Sequence, residues 1–191
     1  NWVEIWNNVF MQYNKTEEGN FVPLKQQNVD TGMGFERMVT VMQKKQSIYE
    51  TDLFMPTIEK IQSLSKINDE KSERIIADHI RASTFILAEN VIPSNVEQGY
   101  ILRKLIRRAI RHAKLLRIKI PFLSKLSKTI LPIYPDYQEL QRNHKFITQE
   151  LDLEESRFSQ TLDRGLREFS KITSDNIITG KEAFLLFQSY G

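Results

Sequence analysis

The sequence contains no cysteine, which excludes a disulfide framework and any thiolate metal site and fits a reducing compartment. Histidine is scarce. His79, His112 and His144 stand far apart with no metal-ligand spacing, so no zinc site is expected. No apolar run approaches the roughly 20 residues of a membrane span, and the opening Asn1-Trp2-Val3-Glu4 is not a signal peptide. A cytoplasmic protein with no membrane contact is the expectation. Internal repeats and low-complexity tracts are lacking too. The chain does not open on Met and stops at Tyr190-Gly191 just after an apolar run, which reads as a piece of a longer protein.

Net charge is only +3, too small a balance to identify a partner by itself. Its distribution says more. Between Arg103 and Lys119 lie Arg103, Lys104, Arg107, Arg108, Arg111, Lys114, Arg117 and Lys119 with no acid among them, so the rest of the chain is net negative. Charge gathered in this way suits a protein that meets an anion on one face. Apolar types make up 40 % of the chain and charged types 27 %, a globular composition. The 191 residues leave room for one ordinary domain or two small ones.

Aromatic and β-branched residues dominate 2–13, which predicts a strand, with its aromatics Trp2, Trp6 and Phe10 in the core. A polar loop containing Gly19 follows. Residues 21–24 and 28–31 read as a second strand interrupted near Pro23. Gly32-Met33-Gly34 breaks it, and Phe35, Met38, Val39 and Met42 then repeat at helical spacing, predicting a helix over 34–45. Thr51 or Asp52 can cap a helix carrying Leu53, Phe54, Ile58, Ile61 and Leu64; 67–71 reads as a loop. Ile75, Ile76, Ile80, Ile86 and Leu87 mark another helix that ends before Pro93. Leu102, Leu105, Ile106, Ala109, Ile110, Ala113 and Leu116 form a clean helical stripe stopped by Pro121. Pro132 and Pro135 bracket a turn. Residues 136–172 read as one long helix or two in series with Gly165 a weak point, 174–179 as a loop and 181–187 as a last short helix. The outcome is an α+β chain: a strand-rich first quarter, a boundary near residue 50, and an all-helical remainder.

Two constellations carry chemistry. In Asn28-Val29-Asp30-Thr31-Gly32-Met33-Gly34-Phe35-Glu36-Arg37 a strand enters a glycine turn and a helix leaves it. Free backbone N–H groups and the positive end of the helix dipole point above such a turn. Glycines at 32 and 34 permit close approach of a ligand, Arg37 can fork onto a phosphate, and Asp30 suits an ammonium group. The plainer alternative is a tight strand–helix turn with Arg37 in a surface ion pair. The second constellation is the basic helix, with Arg103, Arg107 and Arg111 at i, i+4 and i+8 and Lys104 and Arg108 beside them. Like charges so spaced repel; phosphate oxygens relieve that and make binding salt-dependent. Ion pairs with acids of the long C-terminal helix, or a membrane-surface helix, are the alternatives. No aromatic residue interleaves with the basic ones, which favours a duplex backbone over a single-strand stacking platform.

The ten residues Asn28 to Arg37 resemble the third signature motif of class II aminoacyl-tRNA synthetases, in the form found in the alanyl-tRNA synthetases. Similar blocks flank it in order: Glu4 to Tyr13, Tyr49 to Phe54, Ala77 to Ala82, Pro93-Ser94-Asn95, Gly99 to Lys104, Ile106 to Ala109, and Glu155 to Phe158 with Thr161, Leu162 and Gly165. The resemblance implies that residues 1–50 are the C-terminal part of the synthetase catalytic domain, a remnant of its antiparallel sheet. It implies that 51–191 are a helical domain recognising the tRNA acceptor stem. It implies activation of alanine with ATP to alanyl-adenylate and transfer to alanine tRNA, with Mg²⁺ accompanying ATP on ligands that the residues do not assign.

Residue by residue, the resemblance puts Asn7, Asp30 and Gly32 on alanine, with Asp30 holding the ammonium. It puts Gly32, Gly34 and Arg37 on ATP, with Arg37 and Asp30 at the reaction itself. Asn95 matches the asparagine that reads a G·U pair in the acceptor stem, and Arg103, Lys104, Arg107, Arg108 and Arg111 follow the neighbouring phosphates. Two positions depart from the pattern. Gln98 stands where bacterial relatives carry a basic residue, and Gln188 stands where the family has an aspartate, the second reader of the wobble pair. The first two signature motifs and the editing domain lie outside these residues, so the chain alone is expected not to aminoacylate. The alternative reading is a non-catalytic helical RNA-binding module from the same family; a purely structural helical domain, its basic face paired internally, is a third.

Overall fold

The computed structural model describes residues 2–172 and 177–190. Among them are one two-stranded antiparallel sheet and eight α-helices, a mixed α/β chain. The chain divides into two compact units, 1–55 and 56–191.

The first unit is a hairpin followed by a helix. β1 (Trp6–Lys15) pairs with β2 (Phe21–Met33), and the polar loop between them turns at Gly19, whose φ of +88° is the left-handed region glycine tolerates. Pro23 does not interrupt β2; it pairs with Tyr13. The irregularity lies just beyond it, because Met11 faces Asn28 while Tyr13 faces Pro23. The glycine breaker is also shorter than the sequence suggests. Gly32 and Met33 are still strand, and only Gly34 stands between β2 and α1 (Phe35–Met42). The aromatics expected in the core are exposed: Trp2, Trp6 and Phe10 all face outward, since among the described residues the hairpin has no second layer of its own. Thr51 does not cap a helix through its side chain. Its hydroxyl donates to the Ile48 carbonyl at 2.6 Å, and α2 (Met55–Leu64) begins after Phe54.

The second unit holds a true core. α3 (Glu70–Ala88) starts earlier than its apolar pattern indicates because Asp69 caps it, accepting from the Ser72 N–H at 3.3 Å. α4 (Glu97–Leu115) buries Leu102, Ile106, Ala109, Ile110 and Ala113; Leu105 is only half-buried. It ends well short of Pro121, with Arg117 at φ +55°. α5 (Leu123–Ile130) was unexpected. Its Leu123, Leu126 and Ile130 are fully buried, and the Glu155 carboxylate accepts from the Phe122 and Leu123 N–H groups at 3.0 and 3.1 Å. Residues 136–172 do form two helices in series, α6 (Gln138–Arg142) and α7 (His144–Ile172). The break is at Asn143, whose amide donates to the Ala88 carbonyl at 2.7 Å, and not at Gly165. α7 runs through Gly165, where an added Cβ would meet Tyr190 Cβ at 3.0 Å, so the glycine serves helix packing. α8 (Gly180–Tyr190) is longer than predicted; of the loop expected at 174–179, residues 174–176 lie outside the described residues. Among the described residues, no helix is long and apolar enough to cross a membrane.

Candidate functional site

In the first unit the strand register does the positioning. Asn7 pairs with Gly32 and Val9 with Asp30, and residues directly opposite in an antiparallel pair project to the same side. Asn7, Asp30 and Gly32 therefore share one face of the hairpin. Trp6, Phe10, Val29 and Met33 alternate onto the other, where the Trp6 indole N–H donates to Thr31 Oγ1 at 2.6 Å. Asn7 is fixed by donating to Glu4 Oε1 at 3.1 Å. A Cβ on Gly32 would stand 3.3 Å from Asn7 Oδ1, so any larger residue crowds the Asn7 carboxamide. At the end of β2 the Gly34 N–H donates to the Ile5 carbonyl at 2.9 Å. Arg37, in the first turn of α1, folds back and donates to the Glu4 carbonyl at 2.7 Å. Gly34 has φ −75°, so its backbone does not require glycine; its hydrogen atom leaves room for the Arg37 stem, 3.1 Å from where a Cβ would be. No side-chain hydrogen bond caps α1 at Gly34. Among the described residues no group of three His, Asp or Glu gathers to hold a metal ion.

The second unit presents the basic helix. Arg107 is neutralised by buried Glu154, Nε to Oε1 2.7 Å, with its guanidinium 4.9 Å from the Phe158 ring centre. Lys114 pairs with Asp163. These are ion pairs with the long helix α7, one of the alternatives the sequence left open. Among the described residues no salt bridge engages Lys104, Arg108 or Arg111, although the Arg108 charge acts on the Asp78 carboxylate. Arg103 donates to the Asn95 carboxamide oxygen. Asn95 sits in an exposed loop ahead of α4, pinned by the Ser94 N–H donating to the Gly99 carbonyl at 3.0 Å. A Cβ on Gly99 would lie 2.5 Å from the Ile92 carbonyl oxygen, so only glycine lets helix and loop approach this closely.

α4, α7 and α8 enclose an open groove of about 480 Å³. One wall is Arg103, Lys104, Arg107, Arg108 and Arg111; Tyr100, Phe158, Phe187 and Tyr190 line it too. Gln188, exposed on α8, stands next to Phe187. The absence of interleaved aromatics therefore holds along the basic run and fails in space. The signal was present for Tyr100, three and four residues before Arg103 and Lys104. Its ring centre lies 6.0 Å from the Arg103 Cζ and 5.4 Å from the Lys104 Nζ. Phe187 and Tyr190 arrive only through the packing of α8.

Electrostatics inside the unit are set by burial. Burial, and then the charges of Arg111 and Arg108, hold His112 below its usual pKa; its Nδ1 lies 2.9 Å from the Ser72 hydroxyl. A hydrogen bond from His79 keeps the Asp78 carboxyl below its usual range.

The family model described as "tRNA synthetases class II (A)" matches residues 1–191. The chain belongs to that family. The alanine–tRNA ligase of Borreliella afzelii is 50 % identical over 98 % of the chain, which covers 34 % of that protein. The one from Borrelia hermsii is 48 % identical over the same shares, and the one from Elusimicrobium minutum 45 % over 99 % of the chain and 23 % of its own length. This class II synthetase chain thus spans about a third of the first relatives it matches.

Proposed function

We propose that this chain is the part of an alanine–tRNA ligase that completes the alanine and ATP site and grips the tRNA acceptor stem. The observation that carries the first half is the register that brings Asn7, Asp30 and Gly32 to one face, one turn from Arg37. The Asp30 carboxylate pairs with the alanine ammonium, and Asn7 orients the carboxylate end. Gly32 admits a small side chain and keeps the backbone close. Arg37 exchanges the Glu4 carbonyl for ATP phosphate oxygens and, with the positive end of the α1 dipole near Gly34, offsets charge as pyrophosphate leaves. The step needs orientation and electrostatics and no covalent intermediate. Mg²⁺ accompanies ATP, and the described residues form no cage for it.

In the second unit, Asn95 accepts from the unpaired guanine amino group of a G·U pair in the wide minor groove. Arg103, Lys104, Arg108 and Arg111 follow phosphates that position the stem without specifying it, while Arg107, paired with Glu154, braces the groove wall behind them. Gln188 keeps an acceptor where the family pattern has a carboxylate, and reads the pair with a neutral, longer side chain. The 191 residues by themselves do not aminoacylate. The test is alanine-dependent ATP–pyrophosphate exchange in the complete protein carrying these residues. Asp30→Asn lowers kcat/KM for alanine by about a hundredfold or more, with a much smaller change in KM for ATP. Undiminished exchange by that variant would overturn the assignment.

A further inference from the structure

Three features of the groove between α4, α7 and α8 are not explained by a duplex backbone alone. Its basic wall includes Lys104 and Arg111, which are in no salt bridge among the described residues, and Arg108, whose charge acts on the Asp78 carboxylate without a salt bridge. Two aromatic rings on different helices are left open to solvent beside that wall, Tyr100 at 41 % exposure and Phe187 at 69 %. Finally, the volume of about 480 Å³ is that of a pocket for a small organic group, not a flat phosphate-binding face. A duplex shows its partners phosphates, sugars and base edges, and keeps the base faces inside its stack. An aromatic ring gains little from such a surface. It gains most from the flat face of a base that has left the stack, with the flanking phosphates on cations.

We infer that this groove takes an unpaired nucleotide of RNA, its base stacked on Tyr100 and Phe187 and its flanking phosphates on Lys104, Arg108 and Arg111. The inference rests on reading the basic helix as an RNA-binding surface, but it asks for a base outside the duplex, which the wobble reading does not. Phe187 and Gln188 are neighbours on α8, so a base held here fixes the helix that carries the second wobble contact.

The test uses the whole chain and fluorescence anisotropy with three versions of one RNA hairpin. One is blunt, one has a three-nucleotide unpaired extension, and one has the same extension made of abasic nucleotides. The two extended forms carry equal phosphate charge. The extension with bases is expected to bind about tenfold tighter than the abasic one, the effect of stacking one base. Tyr100→Leu and Phe187→Leu, both at exposed positions and checked for helical content by circular dichroism, each bring that ratio toward one. Equal binding of the two extended hairpins would overturn the inference and leave the groove a phosphate clamp. Competition by free AMP as effective as by the oligonucleotide would also overturn it, assigning the groove to a mononucleotide. Preference for G·U over G·C, read on the blunt form, reports on the wobble assignment separately.

Discussion

The two units of this chain support their candidate site residues in opposite ways. In the hairpin every residue of β1 is exposed, and only Leu24 of β2 is even half-buried. In the second unit Leu102 and Ile106 of the basic helix are buried, as are Leu123, Leu126, Leu140, Ile147 and Leu151. The residues proposed for alanine and ATP thus stand on a two-stranded ribbon, a form that is marginal alone, with a broad apolar face on its reverse. The residues proposed to face RNA stand on a helix whose other face is buried in its own unit. A site that must be precise needs a supporting shell; the second unit carries its shell within these residues and the hairpin does not.

Core truncation should break that contrast most strongly. Leu102→Ala is expected to cost about 2–5 kcal/mol because it empties a fully buried position. Phe10→Ala, at a ring 74 % exposed, should change stability by about 0.5 kcal/mol or less. Urea denaturation of each variant measures both; a large cost at Phe10 would mean that the hairpin is packed in solution. Next in size is Gly99→Ala, about 1–3 kcal/mol, since its methyl must displace the Ile92 carbonyl. The same change should weaken RNA binding, because the displaced loop carries Asn95.

A smaller loss than that at Gly99 is one of pH. Burial pushes the Glu155 carboxyl up to about 7, against the N–H groups of Leu123 and Phe122 that favour its charged form; Asp152 raises it further and Lys125 lowers it. Between the unfolded value near 4.5 and about 7 the folded state holds the extra proton, so this group's contribution to stability falls as pH rises through that window. From pH 6 to 8 the loss is about 1 kcal/mol. Glu155→Gln should flatten that part of the profile, as thermal melts at the two pH values would record.

Much of this was legible in the chain. The stripe from Leu102 to Leu116 announced α4 because a 3.6-residue period survives whatever packs on it. The alternation of strand residues fixed which side chains share a face once the register was known, but the register itself depends on the slip between Met11 and Tyr13. α5 was missed because prolines at 121 and 132 framed a segment too short to show a period, and because its cap comes from Glu155, 32 residues away from Leu123. Gly165 looked like a helix weakness and is a packing point for Tyr190, a contact no local pattern contains. The aromatic lining of the groove was hidden for the same reason: Phe158 and Phe187 meet α4 only through tertiary structure. Even the partial neutralisation of the basic helix by Glu154 and Asp163 needed the fold, since its acids lie about fifty residues further on.

The central claim is that Asn95 and the basic helix read an acceptor stem. It is tested most directly by titrating the chain with a short RNA hairpin carrying a G·U pair, and with the same hairpin carrying G·C, at two salt concentrations. Binding that weakens with salt and favours G·U by about 1–3 kcal/mol, with the preference lost in Asn95→Ala, is the predicted result. Salt-sensitive binding with equal affinity for both hairpins would contradict it and reduce the helix to a phosphate clamp.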